Sequence, residues 1–181
     1  MEDSLIISKF AEEKTREEAF GLLLTKYQQK IYWHVRRMVV DHDDADDVVQ
    51  DIFIKVWRNL EKFREDSQLY TWLYRIATNE CITFLNKKKQ KQNVSLDDDN
   101  SSYLSETLAD TAYFNGDAAQ LKLQQALLTL PEKQRLVFNM KYFDDLKYEE
   151  ISSILGTSVG ALKASYHLAV KKIENFFANN D

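Results

Sequence analysis

The sequence predicts an all-α fold of two helical domains joined by an acidic flexible linker, and three observations carry that expectation. Four Gly and one Pro in 181 residues leave few punctuators for hairpins. Apolar residues recur at three- and four-residue spacing along nearly the whole chain, which is the period of an amphipathic helix. Between 93 and 117 the composition shifts to six acids, no Lys or Arg, and many Ser and Asn. That stretch lacks the apolar content to form a core and reads as a linker. The predicted boundaries are therefore a first domain over 1–92, the linker over 93–117 and a second domain over 118–181.

The first helix is expected from about Thr15 to Val39, with Phe20, Leu23, Leu24, Tyr27, Ile31, Val35 and Met38 on one face. HDDADDVVQDIFIKVWRNLEKF opens the second, its acids placed where capping and the helix dipole favour negative charge. Val48, Val49, Ile52, Phe53, Val56, Trp57 and Leu60 form its inward stripe. A third helix follows the polar turn Arg64 to Ser67, from about Gln68 to Lys91. It buries Leu69, Trp72, Leu73, Ile76, Ala77 and Phe84 and turns Arg75, Asn79 and Asn86 outward, with Tyr70 and Tyr74 at the flank.

Beyond the linker a helix from Ala118 to about Thr129 breaks at Leu130-Pro131, and PEKQRLVFNMKYF resumes with Pro131 where a first turn tolerates it. Leu146 to Leu155 is a short helix stopped by Gly156. Ser158 then caps a last helix reaching about Phe177. Two helices joined by so short a glycine-containing turn describe a helix-turn-helix. The last helix turns Val159, Leu162, Tyr166, Ala169 or Val170, Ile173 and Phe177 inward. Ser158, Gly160, Ala161, Lys163, Ala164, His167 and Lys171 are left for an exterior that a DNA major groove could approach closely.

Composition narrows the function. The net charge of −5 hides two opposite poles. Asp41 to Asp51 holds six Asp and no Lys or Arg, a surface that repels DNA and suits a basic protein partner. Gln68 to Gln92 holds Arg75, Lys87, Lys88, Lys89 and Lys91 against Glu80, beside Tyr70, Trp72 and Tyr74. Cationic charge with aromatic rings suits unstacked single-stranded bases.

One cysteine, Cys81, excludes an internal disulfide and reads as a buried structural thiol. The three histidines are too dispersed for a zinc site, and HDDADD lacks calcium-loop spacing. No phosphate loop or nucleophile arrangement appears, so neither an enzyme, a cofactor, a metal nor a small-molecule substrate is expected. No apolar run is long enough to span a bilayer, and Glu2 and Asp3 stand where a signal peptide carries positive charge. A soluble cytoplasmic protein is expected.

These pieces, in this order, resemble a bacterial sigma factor of the extracytoplasmic function (ECF) type, in the sigma-seventy superfamily, over almost the whole chain. DADDVVQDIFIKVW is similar to the region-two helix that docks on the clamp helices of the polymerase beta-prime subunit. YTWLYRIATNECITFLNKKKQ is similar to the adjoining segment that melts and reads the minus-ten promoter element. The run from Pro131 to Ile173 resembles region four, whose helix-turn-helix reads the minus-thirty-five element in duplex DNA.

The resemblance implies that Asp47, Gln50 and Asp51 contact core RNA polymerase. It implies that Phe63, Arg64, Ser67, Tyr70, Trp72, Arg75, Asn79 and Lys87 serve the minus-ten element, where a base is flipped into a protein pocket. It also implies an anti-sigma factor as a partner. The chain departs from the family at Ser165 and Leu168, where arginines are common, so a different and more A·T-tolerant minus-thirty-five element is expected.

Two other readings use the same residues. In one, the first domain senses or dimerises and the helix-turn-helix binds duplex DNA without polymerase. In the other, an all-helical interaction module never touches DNA.

Overall fold

The computed structural model describes residues 2–64, 66–91, 104, 107–108 and 118–180. Apart from Leu104, Thr107 and Leu108, the predicted linker lies outside the described residues. Among these residues the chain is helical, with no strand.

The first four helices are α1 (Asp3–Ala11), α2 (Arg16–Val39), α3 (His42–Asn59) and α4 (Leu69–Lys91). The second set is α5 (Ala118–Leu128), α6 (Glu132–Tyr142), α7 (Tyr148–Leu155) and α8 (Val159–Asn179). Sequence reasoning found all but α1 and placed their ends to within about two residues, except that it ran α3 on to Phe63, where a 3-10 turn over Leu60–Lys62 follows Asn59. It missed α1, whose buried residues Ile6 and Phe10 stand in a segment too short to show a period. Tertiary contacts hold that helix. Asp3 accepts hydrogen bonds from the Tyr27 hydroxyl at 2.7 Å and from Lys26 Nζ at 2.6 Å.

α2 buries Ala19, Leu23, Tyr27, Ile31, Val35 and Met38. It ends at Val40, whose φ of 69° forms a tight turn in which Asp41 N–H donates to the Val39 carbonyl at 2.8 Å. A β-branched residue in that region is strained, and nothing local in the sequence announces it. Asp41 then caps α3 by accepting from the Asp44 N–H at 2.9 Å.

In the second set, Gly156 takes the left-handed conformation at φ 67° and closes α7 through its N–H to the Ser152 carbonyl. Ser158 caps α8, its Oγ accepting from Ala161 N–H. α6, α7 and α8 meet around Leu136, Ile151 and Leu162, while Ala126, Leu127, Leu130, Phe138, Ala169 and Ile173 form a second cluster with the flanking α5.

The larger apolar cluster does not stop at the end of α4. Leu136, Val137, Met140, Leu146, Ile151 and Ile154 of the helix-turn-helix region join Leu69, Leu73, Ala77 and Met38 in it, and α4 packs against α7. Leu104 and Leu108, four residues apart within the acidic stretch, are helical and buried in the same cluster. They are two apolar anchors in a stretch whose six acids dominate its composition.

Cys81 is fully buried, and burial pushes its thiol pKa well above the ordinary range. It is an inert core residue, as expected. No group of side chains suited to a metal ion occurs among the described residues.

Candidate nucleic-acid and protein interfaces

A long groove runs between α2 and α3, with a cavity volume of about 1320 Å³. Phe20, Leu24, Phe53, Ile54 and Trp57 form its apolar floor, and Gln28, Asp46 and Gln50 its polar edge. Trp57 was expected in the core stripe of α3. Instead it is 38% exposed, held edge-on by Phe10 and Phe20 at 5.3 and 5.1 Å between ring centroids. Ile54, exposed to 43%, adds to the same open apolar surface.

Asp47, Gln50 and Asp51 all lie exposed on α3, with Gln50 on the groove itself. Sequence reasoning missed the α2 wall of the groove because Phe20 and Leu24 continue the apolar stripe of that helix. The available signal was its width, since Phe20, Leu23, Leu24 and Tyr27 cover a broader arc than α3 can bury.

A second, smaller cleft opens between the end of α3 and the middle of α4, with a cavity volume of about 320 Å³. Trp72, Ile76, Asn79 and Glu80 of α4 face Lys55, Asn59 and Lys62 across it. Trp72 is half-buried and leans on Phe63 with ring centroids 5.3 Å apart. Asn79, Arg64 and Lys87 are exposed, and Ser67 is half-buried. The structure thus brings Phe63, Trp72 and Asn79 together. The two depressions share no lining residue.

Tyr70 and Arg75 face elsewhere. The Tyr70 hydroxyl donates to the Glu150 carboxylate of α7, and Arg75 Nη2 donates to the Ser153 carbonyl at 2.8 Å. Tyr74, expected at the flank of α4, is buried. Burial, reinforced by the neighbouring Asp144 carboxylate, pushes its phenol pKa above the ordinary range. The lysine run is also partly engaged: Lys88 pairs with Asp44, and Lys89, itself buried, reaches Glu132 at 3.4 Å.

The predicted DNA face of α8 is open. Ser158, Gly160, Ala161, Lys163, Ala164, His167 and Lys171 are all exposed, while Leu162, Ala169 and Ile173 are buried. Ser165 is half-buried. Leu168 is 48% exposed, an apolar side chain on the surface of α8.

Comparison with known proteins gives this arrangement a family. Residues 23–91 match the model of Sigma-70 region 2, and residues 120–173 match that of Sigma-70, region 4. The chain is 33% identical over 162 residues to the ECF RNA polymerase sigma factor SigW of Bacillus subtilis, covering 86% of this chain and 87% of that one. It is 32% identical over 170 residues to the ECF RNA polymerase sigma-E factor of Escherichia coli K12, covering 90% and 88%.

The fold matches the solved structure of CnrH in complex with the cytosolic domain of CnrY at a TM-score of 0.71 and 21% identity, over 99% of each chain. It also matches the sigma factor RpoE bound to the anti-sigma factor NepR from Bartonella quintana, at 0.72 and 21%, over 90% and 98%. The chain therefore belongs to the sigma-70 superfamily of RNA polymerase sigma factors. Within that superfamily it is a member of the ECF group, whose members are transcription initiation factors and not enzymes.

Proposed function

We propose that this chain is an alternative sigma factor that binds core RNA polymerase, directs it to particular promoters and helps open the DNA there. The observation that carries the reading is a division of labour within the first four helices. An open apolar groove edged by Gln28, Gln50, Asp46 and Arg58 lies on α2 and α3 beside the exposed Asp47 and Asp51, and a separate cleft walled by Trp72, Asn79, Lys62 and the Lys55–Glu80 pair lies on α3 and α4. A stand-alone DNA-binding regulator has no use for the first surface, and a DNA-blind interaction module has none for the second.

In this reading the groove takes a helical element of the clamp. Trp57, Ile54 and Phe53 supply apolar contact, and Asp47, Gln50 and Asp51 meet its basic and polar side chains. The cleft takes a base flipped out of the minus-ten element. Trp72 offers a ring face, while Asn79 offers a donor and an acceptor to the base edge. Arg64, Ser67 and Lys87 serve the strand outside the cleft, and Tyr70 and Arg75, turned toward Glu150 and Ser153 of α7, take no part in the base pocket.

α8 enters the major groove at the minus-thirty-five element. Gly160, Ala161 and Ala164 permit close approach, and Lys163, His167 and Lys171 reach phosphates and base edges. Leu168 in an arginine's place favours contact with a thymine methyl over bidentate contact with guanine.

The setting is cytoplasmic, and the partners are core polymerase, promoter DNA and an anti-sigma factor covering these faces. Co-elution of the purified chain with core RNA polymerase tests the proposal. Saturable, stoichiometric binding is the expected result, and a chain that never co-elutes with core would defeat it.

A further inference from the structure

The basic stretch from Gln68 to Gln92 contains one acid, Glu80, and the fold sets it in the wall of the cleft with Trp72, Asn79 and Lys62. A carboxylate is an unfavourable neighbour for a phosphate backbone, so a purely electrostatic DNA surface would not carry one there. Its side chain is 18% exposed, and its Oε1 accepts from Lys55 Nζ of α3. That ion pair fixes the carboxylate and offsets its charge, while Oε2 has no partner among the described residues. The Asn59 amide is spent on the Lys55 carbonyl at 2.8 Å. The cleft therefore presents one anchored acceptor, Glu80 Oε2, beside donors from Lys62 and the Asn79 amide.

We infer that Glu80 is a specificity-determining residue of the cleft and that the base it selects is cytosine. This rests on the proposed minus-ten role of the cleft. Along its pairing edge cytosine offers an amine donor at N4 and acceptors at N3 and O2. The free carboxylate oxygen takes the N4 hydrogen, as acidic side chains do with that base, while Asn79 Nδ2 donates to N3 and Lys62 Nζ to O2. Thymine fits the same space against Trp72 but carries O4 where cytosine carries its amine, so two acceptors face each other without a proton. Guanine makes the same mismatch with O6. Adenine keeps the amine and one acceptor and leaves the lysine without its second. Discrimination between the two pyrimidines thus falls on Glu80.

The probe is a pool of DNA duplexes randomised through the minus-ten region, from which the complex of this chain with core RNA polymerase retains the members it opens. The position at which Asn79→Ala relaxes the recovered base is the one whose base sits in the cleft. There the wild type should favour C over T by about tenfold or more, the discrimination of one well-placed base contact. Glu80→Gln, whose amide can present either a donor or an acceptor, should bring C and T within about threefold of each other. Lys55→Glu with Glu80→Lys keeps an ion pair between α3 and α4 but puts the donor on α4, and should favour T.

A purely structural ion pair gives the opposite pattern: the swap behaves as wild type, and Glu80→Gln weakens opening equally for every base. That pattern overturns the inference, as does a wild type that favours any base other than C at the Asn79-dependent position. Should Glu80→Gln fail to fold, the swap decides, and retention of C by the swap defeats the role of Glu80. An Asn79-dependent position whose C preference survives Glu80→Gln removes Glu80 alone and leaves the cleft as the seat of the base. With no Asn79-dependent position at all, the cleft is not that seat, and the inference falls together with that part of the proposed function.

Discussion

Asp47→Arg is expected to weaken binding to core RNA polymerase by at least about 30-fold, with the far-ultraviolet spectrum and melting temperature of the wild type. The side chain is exposed on α3 beside Gln50 and the groove, so its replacement disturbs no packing. Placing a cation against a basic partner surface costs more than deleting a favourable charge, and loss of one well-placed interfacial charge already costs about 2 kcal/mol or more. Titration of core with fluorescent variant protein reads the change directly. Near-normal affinity would remove this edge of α3 from the docking surface, and partial loss with a steep salt dependence would place it at the rim.

Asn79→Ala is expected to leave core affinity unchanged and to slow promoter opening about tenfold or more. Asn79 stands exposed at the wall of the cleft with Trp72, and its amide can both donate to and accept from a base edge, whereas Asn59, the other amide of the cleft, already donates to the Lys55 carbonyl. Losing hydrogen-bonded discrimination of a base costs about 1–3 kcal/mol, which enters the opening step because that base is unstacked only there. Permanganate reactivity of unpaired thymines in the polymerase complex measures it. Opening at the wild-type rate would assign the cleft to another purpose.

Helices and caps were legible in the sequence because their causes are local. The apolar stripes of α2, α3 and α8, the acids clustered at the start of α3, Ser158 as a cap, and Gly156 as a left-handed stop all stand within a few residues of what they control. The exposure of α8's small and basic residues was legible for the same reason.

What escaped sequence reasoning depends on contacts between distant segments. Trp57 follows the buried period of α3, yet no neighbour closes over it, and its exposure makes the groove. Tyr74 was expected at a flank, but Asp144, seventy residues away, comes to lie beside it. Tyr70 and Arg75 carry the residue types of a DNA face whether or not Glu150 and Ser153 occupy them. Leu104 and Leu108 were lost among acids and serines, since the apolar residues of that stretch are too scattered to establish a period. Tertiary burial decides each of these cases.

Transcription reconstituted from core RNA polymerase and this chain, on sheared genomic DNA from the source organism with start sites mapped by sequencing, tests the central claim most directly. The account predicts initiation at discrete sites absent with core alone, sharing one short upstream element near minus ten and another near minus thirty-five. The same starts with and without the chain, in the presence of folded protein and active core, would contradict it.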